Sequence, residues 1–203
     1  MNYIIAREGW PFVGAALAFF VILVTIGYLP LTLAGFLVVI FVTWFFRNPE
    51  RVIPSDDAAV ISPADWRIIK IAKEGNISKI SIFMSVFNVH VNRIPLSGTV
   101  KSVDYNKGRF LVASKDKASL ENEQNAVTVV DEKGREIKFV QIAGLVARRI
   151  VCYIKEGDKV CRGERFGMIR FGSRLDVYLP DGMEILAKVG EKVKAGESIL
   201  ART

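Results

Sequence analysis

The sequence predicts a mainly β protein, an antiparallel sandwich or flattened barrel preceded by an N-terminal transmembrane helical hairpin. Three observations carry that expectation. Residues 9–46 contain no charged side chain, about twice the roughly 20 apolar residues that one helix needs to cross a bilayer. Beyond residue 47 short apolar stretches alternate with polar residues and are punctuated by Gly, Pro, Asn and Asp, the pattern of half-buried strands joined by turns. In the last third, Gly157-Asp158-Lys159-Val160-Cys161-Arg162-Gly163-Glu164 recurs as Gly190-Glu191-Lys192-Val193-Lys194-Ala195-Gly196-Glu197, so two similar strand-turn-strand units pack together.

In the apolar segment, Gly27-Tyr28-Leu29-Pro30 joins a flexible residue, an interfacial aromatic and a helix breaker. This divides it into arms at Trp10–Ile26 and Leu31–Phe46. Each arm is short for a span, which leaves a re-entrant insertion open as the alternative. A cleaved signal peptide fits poorly, because the run is too long and no small-residue cleavage site follows a short apolar core. Arg7 precedes the hairpin, Arg47 and Arg51 follow it, and Trp10 and Trp44 stand at its edges. The positive-inside tendency then places both ends, and the domain that follows, on the cytoplasmic side of the cell membrane. The expected division is a membrane-anchoring hairpin at 1–47 and a catalytic β domain at 48–203.

That domain carries 26 basic and 20 acidic residues. Its dispersed cations accompany no nucleic-acid recognition motif, and the surplus of six suits anionic lipid headgroups better than nucleic acid. Cys152 and Cys161 suit reduced thiols rather than a disulfide framework.

Asn48 to Asp57 is a proline-punctuated linker. Ser62-Pro63-Ala64-Asp65 forms a turn before a strand, and Lys79 to Phe87 is strand-like. If Asn88 to Asn92 is extended, Asn88, His90 and Asn92 share one face, and Pro95 ends the strand. Ser114 to Asn125 is a polar loop or short helix. Ala126–Val130 and Glu136–Ile142 flank Asp131-Glu132-Lys133-Gly134 as a hairpin.

One histidine and two distant cysteines cannot build the usual zinc site, so no metal is expected. There is no GxxxxGK[ST] or GxGxxG loop and no GxSxG elbow. What remains is Ser173, in the only Gly-Ser dipeptide of the chain, with His90 and a carboxylate, of which Asp65 stands out behind its turn-setting proline. A serine becomes nucleophilic through a base, and a histidine oriented by a carboxylate is the usual supplier.

Four segments in order, Ser62-Pro63-Ala64-Asp65, Phe83 to Gly98, Asp116 to Glu123 and Phe171-Gly172-Ser173-Arg174, closely resemble the phosphatidylserine decarboxylases, in their shorter prokaryotic branch. The resemblance covers roughly residues 50 to 203. It implies a precursor that cleaves itself between Gly172 and Ser173, converting Ser173 into a pyruvoyl group, the enzyme's cofactor. Chains 1–172 and 173–203 would then stay together, with a homo-oligomer left open. The pyruvoyl ketone would form a Schiff base with the amine of phosphatidylserine and accept electrons as carbon dioxide leaves, giving phosphatidylethanolamine. By the same resemblance Asp65 and His90 serve self-cleavage or the later proton transfers, with His90 as the acid-base group. The longer bacterial forms carry a second histidine where this chain has Arg93, and their LGST-like site reads Phe-Gly-Ser-Arg here. Either His90 serves both steps, or Asp65 activates Ser173 through water. Arg93, with Asn88, is placed to bind the substrate carboxylate or phosphate.

Two alternatives stand beside this reading. The repeated turns resemble the half-motif of biotinyl and lipoyl carrier domains, and Asp116-Lys117-Ala118 looks like a lipoyl attachment triplet. That lysine, however, lies about 40 residues before the first half-motif, not on a hairpin between the two. The other alternative keeps the chemistry and takes archaetidylserine as substrate.

Overall fold

The computed structural model describes residues 4–108, 122–144, 149–170 and 173–203. Its contacts divide the chain into two compact units, one ending at Glu50 and one beginning at Arg51.

In the first unit a 3-10 turn, Arg7–Gly9, leads into helix α1, Trp10–Ile26, and α2 follows at Leu29–Phe45. The second arm starts two residues earlier than the sequence pattern indicates. Pro30 enters its first turn, where a missing N–H costs no helical bond, instead of breaking it. The two helices pack through Gly35 against Leu23 and Phe20 against Phe36 at 5.9 Å. The Thr32 hydroxyl also donates to the Leu23 carbonyl at 3.2 Å. Phe19, Ile22, Leu33 and Leu37 point outward and are exposed. The segment Arg7–Ile26 is long and apolar enough to cross a membrane, whereas Leu29–Phe45 is shorter. Ala6 N–H donates to Phe46 O and Asn48 N–H to Ile4 O, each at 2.7 Å, so the entering and leaving chains run side by side. Arg47 lies 4.1 Å over the Trp44 ring.

The second unit is built from strands. In chain order they are β1 Ala59–Ile61, β2 Trp66–Glu74, β3 Ile77–Met84, β4 Val91–Arg93, β5 Gly98–Lys107, β6 Glu123–Val130 and β7 Glu136–Ala143. They continue with β8 Ile150–Cys152, β9 Lys159–Val160, β10 Arg165–Ile169, β11 Ser173–Pro180, β12 Glu184–Ile185, β13 Lys192–Val193 and β14 Ile199–Arg202. Eight of them form one curled antiparallel sheet in the order β13-β2-β3-β11-β7-β6-β5-β9; β1-β14-β12 and β4-β10-β8 form two smaller sheets. The mainly β expectation is met. Two local expectations are not. A turn occupies Val86 to Asn88 and the next strand begins only at Val91, while β6 begins at Glu123, three residues before Ala126.

The repeat seen in the sequence is the visible part of a larger pseudo-twofold. The strand order reads the same from either edge, with β13 matching β9, β2 matching β5, β3 matching β6 and β11 matching β7. Val193 pairs with Trp66 as Val160 pairs with Gly98. Gly190 N–H donates to Ile68 O as Gly157 N–H donates to Val100 O, and Gly196 N–H to Ser62 O as Gly163 N–H to Ile94 O. Even the irregularities match, at Ile68/Lys70 and at Val100/Ser102. The equivalent glycines Gly163 and Gly196 both hold φ at 82° and both abut the side chain of Ile53, which is wedged between the two turns.

β11 lies inside the sheet, paired along its length with β3 and over six residues with β7. Leu175, Val177 and Leu179 face the core with Ile80, Ile82, Phe139 and Phe166. The opposite face of β11 is charged. Arg174 and Asp176, 2% and 0% exposed, form an ion pair at 2.9 Å, and Lys79 of β3 reaches the same carboxylate at 3.3 Å. Burial alone would lower the Lys79 amine, but the Asp176 carboxylate and Tyr178 outweigh it and hold the amine above 10.5. Burial and the same carboxylate push the Tyr178 phenol above 10.0.

The architecture makes three predictions. Gly163→Ala and Gly196→Ala each force a side chain into a left-handed backbone against Ile53, and each should lose about 1–3 kcal/mol in a denaturant melt. Asp176→Ala removes the buried carboxylate that Arg174 and Lys79 share and should lose about 3–5 kcal/mol. Lys79 and Tyr178 both keep their protons longer in the folded chain. Their contribution should therefore be complete below pH 10 and fade as pH rises through the raised values, a loss that Tyr178→Phe should blunt in alkaline melts followed by circular dichroism.

Candidate functional site

Ser173 is the first residue of β11. It pairs with Met84 at the end of β3 and with Ala143 at the end of β7. Alternation along the strand turns its side chain to the core face beside Leu175. There it is 0% exposed, with its hydroxyl 3.9 Å from the Met84 sulfur. Gly172, the other half of the predicted cleavage site, and Lys117, the carrier candidate, lie outside the described residues. The third motif reaches the site by its described end, where Asn122 donates to the carbonyl of Ala143, the strand partner of Ser173, at 2.7 Å.

His90 follows the tight turn that continues from Met84. The turn is closed by Asn88, whose side-chain oxygen accepts from the Ser85 N–H at 2.8 Å and the Ser85 hydroxyl at 2.6 Å. His90 is fully buried, with Nδ1 3.0 Å from the Asn88 carbonyl. A carbonyl only accepts, so Nδ1 carries the proton, and in a neutral ring Nε2 holds the lone pair. The backbone oxygen of His90 accepts from the Ile169 N–H at 3.3 Å, which ties the histidine to the end of β10, four residues before Ser173.

Asp65 ends the Ser62-Pro63-Ala64-Asp65 turn. One of its oxygens accepts from the Ala195 N–H at 2.8 Å, and Nη2 of Arg51 donates to both, at 3.1 and 3.0 Å. The turn docks on β4, because Arg93 N–H donates to Pro63 O at 3.0 Å. Arg93 itself is buried, and Nη1 donates to Gly163 O at 2.8 Å. The residue after Asp65, Trp66, holds φ at +100°, a conformation that costs a non-glycine residue about 1–3 kcal/mol. Its ring lies under Lys192 at 4.7 Å and Arg67 at 5.9 Å.

Several polar groups that complete the site escape sequence reasoning. Asn92 donates to Pro63 O at 3.4 Å and towards the Met84 sulfur at 3.8 Å. Its side-chain oxygen accepts from Gln141 at 2.9 Å, and Gln141 accepts from Asn125 at 2.9 Å. This chain of buried amides links the Asp65 turn, β4, Met84 and β7 beside Ser173. A signal was available: Asn125 and Gln141 are polar residues at inward positions of otherwise apolar strands, and such groups are buried only when bonded. The pairing of Arg51 with Asp65 left no local signal at all.

The geometry thus gathers three of the four sequence motifs, and the end of the third, around the start of an inner strand. A family model described as phosphatidylserine decarboxylase matches residues 38–201. The phosphatidylserine decarboxylase proenzyme of Syntrophus aciditrophicus (strain SB) is 53% identical, with 97% of this chain and 96% of the relative covered. Those of Geotalea uraniireducens (strain Rf4) and Burkholderia pseudomallei (strain K96243) are 49% and 48% identical over at least 96% of either chain. By identity, coverage and family model together, the chain belongs to the phosphatidylserine decarboxylase family.

Proposed function

We propose that this chain decarboxylates phosphatidylserine to phosphatidylethanolamine and carbon dioxide after cutting its own backbone between Gly172 and Ser173. Family membership supports the reaction and the substrate. The position of Ser173 is the observation that carries the self-cleavage. It is a buried hydroxyl at the first residue of an inner strand, so a new chain end there stays bonded to neighbours on both sides.

In the cut, the Ser173 hydroxyl adds to the Gly172 carbonyl and the amide is replaced by an ester. Elimination then releases the Gly172 carboxylate and leaves dehydroalanine, and hydrolysis releases ammonia and leaves a pyruvoyl group at position 173. His90, with the Nε2 lone pair, is the base that takes the hydroxyl proton. The niche fits a small uncharged keto group, since Ser173 faces the core beside Met84 and Leu175 while the nearby charges of Arg174 and Asp176 lie on the other face of β11. When formed, that group supplies an electron sink for loss of the carboxylate. The chain's own part is to bury the reacting centre, exclude water and hold a proton at His90. Arg93 and Asn88 remain the proposed contacts to the substrate. Both have internal partners, so they would engage it by exchanging or sharing those bonds.

The anchor follows the same reading. Residues 1–47 hold residues 48–203 at the cytoplasmic surface of the cell membrane, where a lipid substrate stays in the bilayer.

Intact mass and a denaturing gel of the purified protein should show two chains, the smaller of 31 residues with a blocked pyruvoyl end. Ser173→Ala should remain a single chain. A wild-type single chain bearing lipoate or biotin mass on Lys117 would overturn the assignment in favour of a carrier. His90→Ala should slow processing or turnover by about 100- to 10,000-fold, read from the gel time course and from carbon dioxide release.

A further inference from the structure

The pseudo-twofold supplies an internal control for Asp65. Its mirror position is Ser97: the Ala195 N–H donates to the Asp65 carboxylate at 2.8 Å, and the equivalent Arg162 N–H donates to the Ser97 hydroxyl at 2.9 Å. The two turns carry the same backbone bonds, at Gly196 to Ser62 and Gly163 to Ile94. The fold therefore needs an acceptor at this position, and a neutral hydroxyl is enough. The full charge at Asp65 exceeds what the turn requires.

That surplus charge has a dedicated partner. Arg51 is the first residue of the β unit, its side chain is 8% exposed, and its Nη2 donates to both Asp65 oxygens. Its Cβ rests against the Gly196 turn, and Nη1 lies 3.8 Å from Glu197, which Lys194 also approaches at 3.5 Å. A buried carboxylate held by a guanidinium and a backbone N–H keeps one orientation.

We propose that Arg51 is a positioning residue of the self-cleavage site, acting through Asp65; this rests on the reading that Asp65 serves that reaction. Asp65 fully held in this way is no free base. Its role is to present a fixed negative charge to the polar chain that runs from the Pro63 carbonyl through Asn92 to Met84 and Ser173, whereas His90 moves the proton.

The test uses full-length protein in detergent, followed by a denaturing gel for the 31-residue fragment and by thermal circular dichroism for folding. Asp65→Ser, the residue that the mirror turn already accepts, should still fold, with a lower melting point because Arg51 loses its carboxylate, and should cut at least about 100-fold more slowly. Arg51→Gln should cut about 100-fold more slowly, and Arg51→Lys should recover part of the rate. Arg51→Ala should be restored by added guanidinium at millimolar concentration. The double variant Arg51→Gln/Asp65→Ser should be no slower than Asp65→Ser alone, because the two act as a unit. Ser97→Ala should be processed normally. Arg51→Gln cutting at the wild-type rate while Asp65→Ser does not would overturn the assignment, as would a rate loss that guanidinium leaves unchanged and a melting loss accounts for. A wild-type chain that stays uncut overturns the self-cleavage reading and this role of Arg51 together.

Discussion

Everything distinctive in this protein depends on the hydrogen bonds along both edges of β11. A strand at the rim of a sheet is held on one side, and its first residue frays. β11 is bonded to β3 and to β7 from its first residue onward, so the position of Ser173 is set by neighbours and not by the peptide bond that precedes it. Only such a residue can lose its covalent predecessor and keep its place. The salt bridge from Lys79 of β3 to Asp176, on the opposite face, adds side-chain attachment near the place where the backbone would be cut.

Around that fixed point the proposed catalytic groups arrive from separate parts of the chain. His90 comes by a turn that Asn88 closes and that grows out of β3, and Asp65 by a turn docked on β4 and on the second half-motif. The buried amides of Asn92, Gln141 and Asn125 connect these arrivals. Such a network tolerates no half measures, since one missing amide leaves a buried partner unsatisfied. This rigidity suits the proposed cut, in which a serine would have to meet a particular carbonyl and a displacement of about 1 Å would be costly.

How much of this was legible in the sequence varied with the range of the interaction. The apolar hairpin and the repeated glycine turns were readable because their causes are local: a charge-free run, and glycines at positive φ. Ser173, His90 and Asp65 stand out as candidates by residue type and motif order. The extended reading of the segment from Asn88 holds only from Val91, for a local reason that alternation does not encode, because Asn88 bonds back to Ser85 and makes a turn. Pro30, taken as a break, proved compatible with a helix start. The partnership of Arg51 with Asp65 and the strain at Trp66 could not be read at all. They follow from how distant segments are brought together.

The matched halves of the large sheet carry a consequence of their own. In a symmetric dimer of identical chains, any change at one turn is made at its mate as well. When both halves belong to one polypeptide, each can change alone. Here one turn carries a neutral serine at position 97, while its counterpart carries a carboxylate at 65, an arginine that holds it and a strained tryptophan beside it. Joining two similar halves in a single chain is what allows this fold one charged, strained edge and one plain edge, the two built on the same turn.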